Sequence, residues 1–276
     1  MKRLIIRPGA LGDFIVSLPA MECLRADYLE IWAAGPNVPL AARLAHRARS
    51  IASTGLDLLE LGPPPLRLLD TLRGFDSIVS WYGAARPEFR ATVEALGLPF
   101  QFLAALPPQG CGSHAADFYL AQVRSIAGCE SDGVPRIACH AAPGGFAVIH
   151  PFAGSPRKRW PIERFQALAA QLAPRLPVEW CAGPEDRLAG ARRFPDLYDL
   201  ACWLAAASIY IGNDSGPTHL AAAVGTPVVA LFGPTDPAVW APRGPRVTVL
   251  ASPALEAITV AQAAAAVRDM LPPGVL

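Results

Sequence analysis

The stretch that decides the fold is residues 208–235, which read SIYIGNDSGPTHLAAAVGTPVVALFGPT. An apolar run, a polar turn, a series of small residues and a second apolar run follow one another in it. This order is typical of a strand, a turn, a helix and a further strand of a parallel sheet. Because the turn from Gly212 to Gly216 leads directly into the helix, unpaired backbone N–H groups and the positive end of the helix dipole meet there. The sequence therefore predicts that this turn binds an anion, most simply a phosphate.

Short apolar strands alternate with helical patterns along the rest of the 276 residues. This alternation predicts an α/β protein with parallel sheets. Between residues 130 and 145 the periodicity is lost and glycine and proline accumulate, which is typical of a linker. We therefore expect two Rossmann-like, doubly wound domains, residues 1–143 and 144–276, facing a central cleft in which ligands bind. Local patterns also predict strands near Ile51 and Leu58 and a helix from Asp186 to Arg193.

The composition is that of a folded protein without an unusual charge. Hydrophobic residues make up 52% of the chain and the formal net charge is +1, so nothing favours nucleic acid or another polyanionic partner. No run approaches the roughly 20 apolar residues that span a bilayer, and the first residues lack the apolar segment of a signal peptide. We therefore expect a cytoplasmic location. The 6 cysteines form no C-x-x-C pair and match no histidine spacing, which predicts reduced, mostly buried thiols and no metal site.

A glycine-rich loop, Arg7 to Asp13, connects the first predicted strand to the first helix. Asp13 lies in the first helical turn, where it could face a ligand or only complement the helix dipole, and the spacing leaves both interpretations open. The loop is not a dinucleotide-binding fingerprint, because its G-x-x-G-D pattern matches neither G-x-G-x-x-G nor a Walker sequence. The residues whose backbone can approach a ligand closely are Gly9, Ala10, Leu11 and Gly12.

A second loop, His150 to Pro161, follows the first predicted strand of the second half and carries three adjacent cations, Arg157, Lys158 and Arg159. Three cations beside the carboxyl edge of a sheet suit a diphosphate. An isolated basic run is more often a solvated turn, but Ser155 lies in a segment that offers backbone donors, which favours the binding interpretation. We therefore expect this loop to contact phosphate.

Two further loops follow strands at the same predicted sheet edge, Gly183 to Asp186, which contains Glu185, and Phe232 to Asp236. Four loops thus bring polar or glycine-rich residues to one rim, a convergence that packing alone does not require. In the opening stretch, Asp214 could be a helix N-cap and His219 a partly buried histidine. Capping and ligand binding are compatible, so both interpretations stay open.

At these residues the chain resembles glycosyltransferase family 9, the ADP-heptose:lipopolysaccharide heptosyltransferases. The resemblance rests on three stretches in the family's order: RPGALGD at 7–13 with SLPA at 17–20, KRWP at 158–161, and NDSGPTH at 213–219 with LFGPT at 231–235. The third stretch is the most specific. The resemblance implies a GT-B fold, in which an N-terminal acceptor domain faces a C-terminal nucleotide-sugar domain and the last helix packs back towards the first domain.

The resemblance also implies inverting transfer of a sugar, most simply heptose from ADP-heptose, onto a lipopolysaccharide core or related glycan. It implies no required metal and no cofactor besides the nucleotide sugar. Asp13 takes the general-base role, and one carboxylate suffices for a single inverting displacement. Lys158 contacts phosphate and Asp214 lies beside the donor's sugar and phosphate. The residues expected to bind the donor are Ser155, Arg157, Lys158, Arg159, Glu185, Asp214, Ser215, Gly216, Pro217, Thr218 and His219.

The expected partners follow from that function. They are a nucleotide sugar and a lipopolysaccharide-type or other glycan acceptor, with no nucleic acid and with peripheral contact at the inner face of the inner membrane. The nearest approach to a basic cluster for acceptor phosphates in the first half is Arg43, Arg47 and Arg49. Two other functions stay open, a catalytically inactive nucleotide-sugar-binding protein of this fold and a sugar-nucleotide epimerase. The missing fingerprint disfavours a dehydrogenase.

Overall fold

The computed structural model of the protein describes residues 1–142 and 144–272. The chain divides into two compact units, Met1–Cys111 with Ala115–Asp132, and Gly112–His114 with Gly133–Leu276. Pro143, the last residue of the expected first domain, lies outside the described residues. Ile137 is buried, and its N–H donates to the carbonyl of Ala223 at 2.9 Å. The segment that composition marks as a linker therefore packs into the second unit from Gly133 onward.

The first unit is a five-stranded parallel sheet with its helices. The strands are β1 (Lys2–Arg7), β2 (Tyr28–Ala33), β3 (Arg47–Ser50), β4 (Ser77–Ser80) and β5 (Phe100–Phe102). The α-helices are α1 (Leu11–Val16), α2 (Leu18–Cys23), α3 (Val38–Ala41), α4 (Leu66–Arg73), α5 (Pro87–Ala95) and α6 (Ala115–Ala127). The sheet order is β3-β2-β1-β4-β5. β1 is buried along nearly its whole length, as expected of a parallel strand that is covered on both faces.

The second unit repeats this architecture. Its strands are β6 (Ala147–His150), β7 (Val178–Trp180), β8 (Ile209–Asn213), β9 (Val228–Phe232) and β10 (Val247–Ala251). Its α-helices are α7 (Ile162–Leu172), α8 (Leu197–Ala206), α9 (Gly216–Ala223), α10 (Pro237–Trp240) and α11 (Val260–Met270). The sheet order is β10-β9-β8-β6-β7, again with parallel pairs. The predicted α/β fold with two doubly wound sheets is therefore confirmed.

Each sheet has a point at which the chain reverses its direction of travel across the strands. In the first sheet β1 leads to β2 on one side while β4 leads to β5 on the other, and in the second sheet β6 leads to β7 while β8 leads to β9. Right-handed crossovers to opposite sides place the connecting helices on opposite faces. The loops after β1 and β4, and those after β6 and β8, therefore diverge and leave a crevice at the carboxyl ends of the strands.

Helix α11 completes the core of the second unit. Its residues Ala263 and Val267 are buried with Phe165 and Leu168 of α7 in one hydrophobic cluster. The expected packing of this helix back towards the first domain stays a prediction. None of the helices within the described residues is long and apolar enough to cross a membrane.

Two local predictions were wrong. The strand predicted near Ile51 is β3, which ends at Ser50, but the segment predicted as a strand near Leu58 forms a short 3-10 helix, Leu56–Glu60. The segment from Asp186 to Arg193 is not helical. Its Gly190 has a φ of +72°, in the left-handed region, and the backbone of Arg192 pairs in parallel with Cys181 just beyond β7. The chain there extends the sheet edge instead.

The cysteine prediction also needs correction. Cys23 and Cys129, which we expected to be reduced, form a disulfide with their Cα atoms 5.3 Å apart. Cys23 ends α2 and Cys129 follows α6, and these two helices pack together in the first unit. The two cysteines are 106 positions apart, so no local spacing in the sequence indicates the bond. Of the four other cysteines, Cys181 is buried as expected, and burial raises its pKa to about 12. Cys111, Cys139 and Cys202 are only partly buried, so the prediction of mostly buried thiols was wrong for them.

Candidate functional site

Four loops meet at one edge of the second sheet. They follow β7, β6, β8 and β9, which are neighbours in the sheet order. Because the strands are parallel, their carboxyl ends lie at the same edge, as the sequence predicts. The crevice between β6 and β8 is the position at which open α/β sheets bind their ligands.

Lys158 and Asp214 form an ion pair across this crevice. Lys158 Nζ donates to Asp214 Oδ2 at 2.8 Å, which joins the loop after β6 to the turn after β8. The side chain of Asp214 is 8% exposed and that of Lys158 is 34% exposed. The buried carboxylate needs this partner, because an uncompensated charge out of water is costly. The ammonium has three donors, so it can hold Asp214 and a phosphate oxygen at the same time.

His219 lies in α9 beside this pair, with Nε2 4.0 Å from Asp214 Oδ1. Burial lowers the pKa of His219 to about 4; the negative Asp214 opposes the shift, whereas His114 and Lys158 add to it. The imidazole is therefore neutral at pH 7. Lys158, and not His219, compensates the charge of Asp214.

The hydroxyl groups of the turn before α9 are used internally. Thr218 is fully buried, and its Oγ1 donates to the carbonyl oxygen of Asn213. The same Oγ1 lies 3.2 Å from the hydroxyl of Tyr210 and 3.0 Å from that of Ser215. The side chain of Thr218 therefore fixes the shape of the turn.

The backbone of the turn offers two donors to an anion. The N–H groups of Thr218 and His219 donate to the carbonyl of Ser215, and Pro217 has no N–H. Among the described residues, no acceptor takes the N–H groups of Ser215 and Gly216. These two donors, with the helix dipole behind them, suit a phosphate.

Asn213 ties the two loops of the crevice together. Its side chain is fully buried. Its Oδ1 accepts the N–H of Trp160 at 2.9 Å, and its Nδ2 donates to the carbonyl of Pro151 at 2.8 Å. Both partners lie in the loop that carries Lys158. The last residue of β8 therefore holds the two ends of the neighbouring loop in place.

The three adjacent cations have different surroundings. Arg159 donates through Nε and Nη2 to the carbonyl of Ala153 at 3.0 and 2.8 Å, and its guanidinium lies 5.6 Å from the ring centre of Phe152. Arg159 thus braces its own loop. Arg157 is exposed and Lys158 reaches Asp214. Contact of the three cations with phosphate stays a prediction.

Two other predicted donor-binding residues lie at the rim without joining the ion pair. The carbonyl of Ser155 accepts the N–H of Lys158 at 3.0 Å and closes the short 3-10 turn of this loop. Glu185 is exposed on the loop after β7. In the described part of the chain, no contact joins Glu185 to Lys158 or Asp214.

In the first unit, Asp13 lies at the corresponding sheet edge, after β1. Its Oδ2 accepts the N–H of Ala10 at 3.3 Å, and no other described residue donates to the carboxylate. Gly9 has a φ of +113°, and a Cβ there would lie 3.3 Å from Asp13 Oδ2. Asn37 Nδ2 donates to the carbonyl of Gly9 at 3.2 Å. The loop thus requires glycine at position 9 and leaves one carboxylate oxygen of Asp13 without a hydrogen bond from a described residue. Leu11 and Gly12, which precede Asp13, are partly exposed.

A buried arginine lies behind Asp13. Arg7 donates through Nε to Ser17 Oγ and through Nη2 to the carbonyl of Asp13, each at 2.9 Å. Its guanidinium lies 4.8 Å from the ring centre of Tyr119 and 5.6 Å from that of Trp81. Burial lowers the pKa of Arg7, and electrostatic interactions with Tyr119 and Asp13 oppose that shift. Arg7 therefore anchors the backbone of the Asp13 turn.

The sequence did not predict the roles of Asn213 and Arg7. Each is a buried polar residue at the end of its strand, after LII in β1 and IYIG in β8, and a buried polar group needs partners. That pattern is a usable signal, but it does not name the partners, since Asn213 bonds residues 53 and 62 positions away. In residues 1–142 and 144–272, no three His, Cys, Asp or Glu side chains are grouped so that they could hold a metal ion.

Two doubly wound parallel sheets with a lysine and a helix turn at a crevice are typical of α/β proteins that bind nucleotides or their sugar conjugates. Residues 113–265 match the model of glycosyltransferase family 9 (heptosyltransferase), more than half of the chain. The chain therefore belongs to glycosyltransferase family 9.

Curated relatives match over shorter segments. The chain is 51% identical over 59 residues to lipopolysaccharide heptosyltransferase 3 of Escherichia coli strain K12, which covers 21% of this chain and 16% of that protein. It is 35% identical over 124 residues to lipopolysaccharide heptosyltransferase 3 of Escherichia coli, covering 37% and 36%. The matches thus span at most about a third of these relatives' length.

A solved structure matches over the whole fold. E. coli ADP-heptose lps heptosyltransferase II aligns with a TM-score of 0.74 at 19% identity, covering 98% of each chain. At this identity the likeness establishes the fold alone. It confirms the predicted GT-B architecture of two doubly wound domains.

Proposed function

We propose that the protein is an inverting, metal-independent glycosyltransferase that moves heptose from ADP-heptose onto a lipopolysaccharide core or a related glycan. The observation that carries the proposal is the Lys158–Asp214 pair at the β6–β8 crevice, beside the two unpaired N–H groups of the α9 turn. Membership of the family supports it, as do E. coli relatives that are named for this donor and for lipopolysaccharide.

The second unit binds the donor in this proposal. The diphosphate accepts hydrogen bonds from the ammonium of Lys158 and from the N–H groups of Ser215 and Gly216, and the exposed Arg157 is a further cation beside it. Asp214, paired with Lys158, accepts a hydrogen bond from a hydroxyl of the sugar. The buried side chains of Thr218 and His219 act by shaping the turn.

The chemical step follows from these positions. The acceptor hydroxyl oxygen bonds to the anomeric carbon while the bond from that carbon to the diphosphate oxygen breaks, and the bonding electron pair leaves with ADP. Asp13 takes the hydroxyl proton through its open oxygen. The charge that develops on the leaving diphosphate is stabilised by Lys158 and by the N–H groups of the turn. No step requires a metal ion.

The acceptor and its location are the remaining parts of the proposal. The first unit binds a lipopolysaccharide-type or other glycan acceptor next to Asp13, and the donor and acceptor meet in the central cleft expected from the sequence. The reaction then takes place in the cytoplasm at the inner face of the inner membrane. The expected domains, residues 1–143 and 144–276, divide these two tasks.

The test compares Asp13→Asn with wild type in an assay of ADP release and sugar transfer. Loss of a general base lowers kcat by about 10² to 10⁴-fold, while calorimetry should show ADP-heptose binding within about twofold of wild type. Asp70→Asn is the matched control, because Asp70 is an exposed acid on α4 of the same unit. Unchanged kcat in Asp13→Asn would reject the assigned base.

The same assay separates the two alternative functions. If wild-type protein binds ADP-heptose but transfers no sugar to any of a panel of glycan acceptors, it is a binding protein. If it changes the configuration of the nucleotide sugar without any acceptor, it is an epimerase. Lys158→Met should weaken ADP binding in all three cases, since the phosphate contact is common to them.

A further inference from the structure

A cavity lies between the edge strand of the first sheet and α4. β3 is the outermost strand of that sheet, next to β2. Its Arg47 lies opposite Glu30 of β2. Two residues further on, Arg49 lies opposite Trp32. Residues opposite one another, and residues two apart on one strand, point to the same face of a sheet. These four side chains therefore line one wall of the cavity, and α4 lines the other.

The cavity has a volume of about 400 Å³ and is cationic. Three arginines line it, Arg47 and Arg49 of β3 and Arg67 of α4. We refer to it as the arginine pocket. Among the described residues that line it, Glu30 is the one acid. Three guanidinium groups and one carboxylate leave two positive charges in excess.

The carboxylate of Glu30 is already paired inside the protein. Glu30 is buried and accepts the indole N–H of Trp32 at 2.8 Å and the hydroxyl of Tyr28 at 3.2 Å. Arg49 lies 3.8 Å from this carboxylate and 5.4 Å from the ring centre of Trp32. Arg49 therefore balances the charge of Glu30.

The other two arginines of the pocket carry uncompensated charge. Arg47 and Arg67 are exposed, and neither forms an ion pair within the described residues. One belongs to β3 and the other to α4, so a ligand in the pocket meets a guanidinium group from each wall. The excess of two positive charges is therefore available to an anion.

The first turn of α4 adds backbone donors at the same place. Pro65 lines the pocket and precedes the helix, and its carbonyl accepts the N–H groups of Leu68 and Leu69. In the described part of the chain, no acceptor takes the N–H groups of Leu66 and Arg67. The positive end of the helix dipole lies at these donors, which favours an anion beside the guanidinium groups.

The pocket also offers hydrogen-bond acceptors. Ser53 Oγ donates to the carbonyl of Ser50 at 2.8 Å, and Thr71 Oγ1 donates to the carbonyl of Arg67 at 2.8 Å. A hydroxyl that has donated its proton keeps lone pairs that accept. Ser53 and Thr71 both line the pocket, so hydroxyl groups of a ligand find acceptors there.

We propose that the arginine pocket binds a sugar phosphate. Arg47 and Arg67 hold the phosphate monoester, which carries about −1.5 to −2 charges at pH 7 and so matches the two uncompensated guanidinium groups. Ser53 and Thr71 accept hydrogen bonds from hydroxyl groups of the sugar. The cavity of about 400 Å³ has the size of a small-molecule site, about 300–1,000 Å³, and inorganic phosphate would fill only part of it.

This site is separate from the residues proposed for catalysis. β3 is two strands away from β1 in the sheet, a distance of about 10 Å at the usual strand spacing, and Lys158 belongs to the second unit. Two sources supply the chemistry, a free sugar phosphate and a phosphorylated sugar within the glycan acceptor. Binding of a free sugar phosphate does not rest on the proposed transferase activity.

The first measurement is calorimetric titration of the full chain with glucose 6-phosphate. Arg47→Gln and Arg67→Gln should each weaken binding by about tenfold, because each removes a charge-assisted hydrogen bond to the phosphate. Arg73→Gln is the matched control, since Arg73 is exposed in the last turn of α4 and does not line the pocket. It should bind as wild type does, and far-ultraviolet circular dichroism should show that every variant is folded.

Two further titrations test the charge and the place of binding. Glucose 6-sulfate has the same sugar but a single negative charge, so it should bind about tenfold more weakly than glucose 6-phosphate. Saturation with ADP should leave binding of glucose 6-phosphate unchanged, because the diphosphate site of the proposed function lies in the second unit.

Transfer kinetics distinguish the two sources. If the phosphate belongs to the acceptor, phosphatase treatment of the glycan should raise the wild-type KM by about tenfold, and the variant Arg47→Gln with Arg67→Gln should use both glycans alike. An unchanged wild-type KM assigns the pocket to a free sugar phosphate. A protein that binds glucose 6-phosphate but transfers no sugar would contradict the proposed function and leave the pocket assigned.

Three results would overturn the proposal. The first is the absence of saturable glucose 6-phosphate binding to wild type. The second is equal binding by wild type and by Arg47→Gln with Arg67→Gln, or equal binding of the sulfate and the phosphate. The third is displacement of glucose 6-phosphate by ADP, which would assign its binding to the donor site.

Discussion

Replacing Asn213 with alanine should loosen the β6–β8 crevice more than any other single truncation there. The side chain is fully buried and makes two bonds, from the N–H of Trp160 and to the carbonyl of Pro151. Truncation leaves both backbone groups buried without a partner, and each such group costs about 1–3 kcal/mol. The free energy of unfolding should therefore fall by about 2–6 kcal/mol.

Urea unfolding of the two variants Asn213→Ala and Asn37→Ala gives the comparison. Asn37 is equally buried but makes one described side-chain bond, to the carbonyl of Gly9 in the first unit. Its truncation should cost about half as much, about 1–3 kcal/mol. Asn213→Asp keeps an acceptor for Trp160 but turns a buried carboxylate oxygen towards the carbonyl of Pro151, so its cost should be at least that of alanine.

Nucleotide binding tells a local effect from a general loss of stability. Because Asn213 holds the loop that carries Lys158, Asn213→Ala should weaken ADP binding by about tenfold, equivalent to about 1.4 kcal/mol. Asn37→Ala should leave ADP binding unchanged at a urea concentration where both variants are folded. If Asn213→Ala costs less than about 1 kcal/mol, or if both variants bind ADP alike, the argument that this residue positions the loop is wrong.

Three further changes test other parts of the structure. Lys158→Met should destabilise the protein by more than the double variant Lys158→Met with Asp214→Asn, because the single change strands a buried carboxylate; equal costs in urea unfolding would contradict the pairing. The pKa of His219 is about 4 in the folded protein and about 6.5 in the unfolded chain. The neutral ring's contribution to the free energy of unfolding is therefore complete above the unfolded pKa and is lost as pH falls towards 4. His219→Gln should therefore reduce the slope of unfolding free energy against pH in this window by about 1.4 kcal/mol per pH unit, and an unchanged slope would contradict burial of the neutral ring. Cys23→Ser with Cys129→Ser should lower the free energy of unfolding by about 2–5 kcal/mol, as should reduction of the wild-type protein, and no loss in either would show that the bond is absent.

The parts of the fold that local patterns encode were predictable from the sequence. Leu4 to Ile6 of β1 and most of β8 and β9 are apolar runs that are buried, and a parallel strand covered on both faces has that pattern. The turn from Gly212 to Gly216 follows directly from its residue types. Because the strands are parallel, their order places the four loops at one edge, so the convergence at the rim was also predictable.

The misses have a common physical cause, which is that tertiary contacts decide short segments. Leu56 and Leu59 are apolar like strand residues, but they are buried in the core of the first unit from a 3-10 helix. The segment 186–193 has helix-forming residues, but its backbone at Arg192 pairs with the sheet edge at Cys181. In both segments, contacts with distant parts of the chain override the local conformational propensity.

In both units, the strand beside the crevice ends in a buried polar side chain that bonds the backbone of a loop. This arrangement explains why the candidate site is built on strands that end in a polar residue. Arg7 ends β1 and bonds the backbone of the Asp13 turn, while Asn213 ends β8 and bonds the backbone of the Lys158 loop. An apolar residue at either position would pack as well but would leave loop carbonyls and N–H groups without a partner. A reacting or binding group must be held within a fraction of an ångström. A buried side chain that reaches the loop backbone supplies that constraint without occupying the ligand's space.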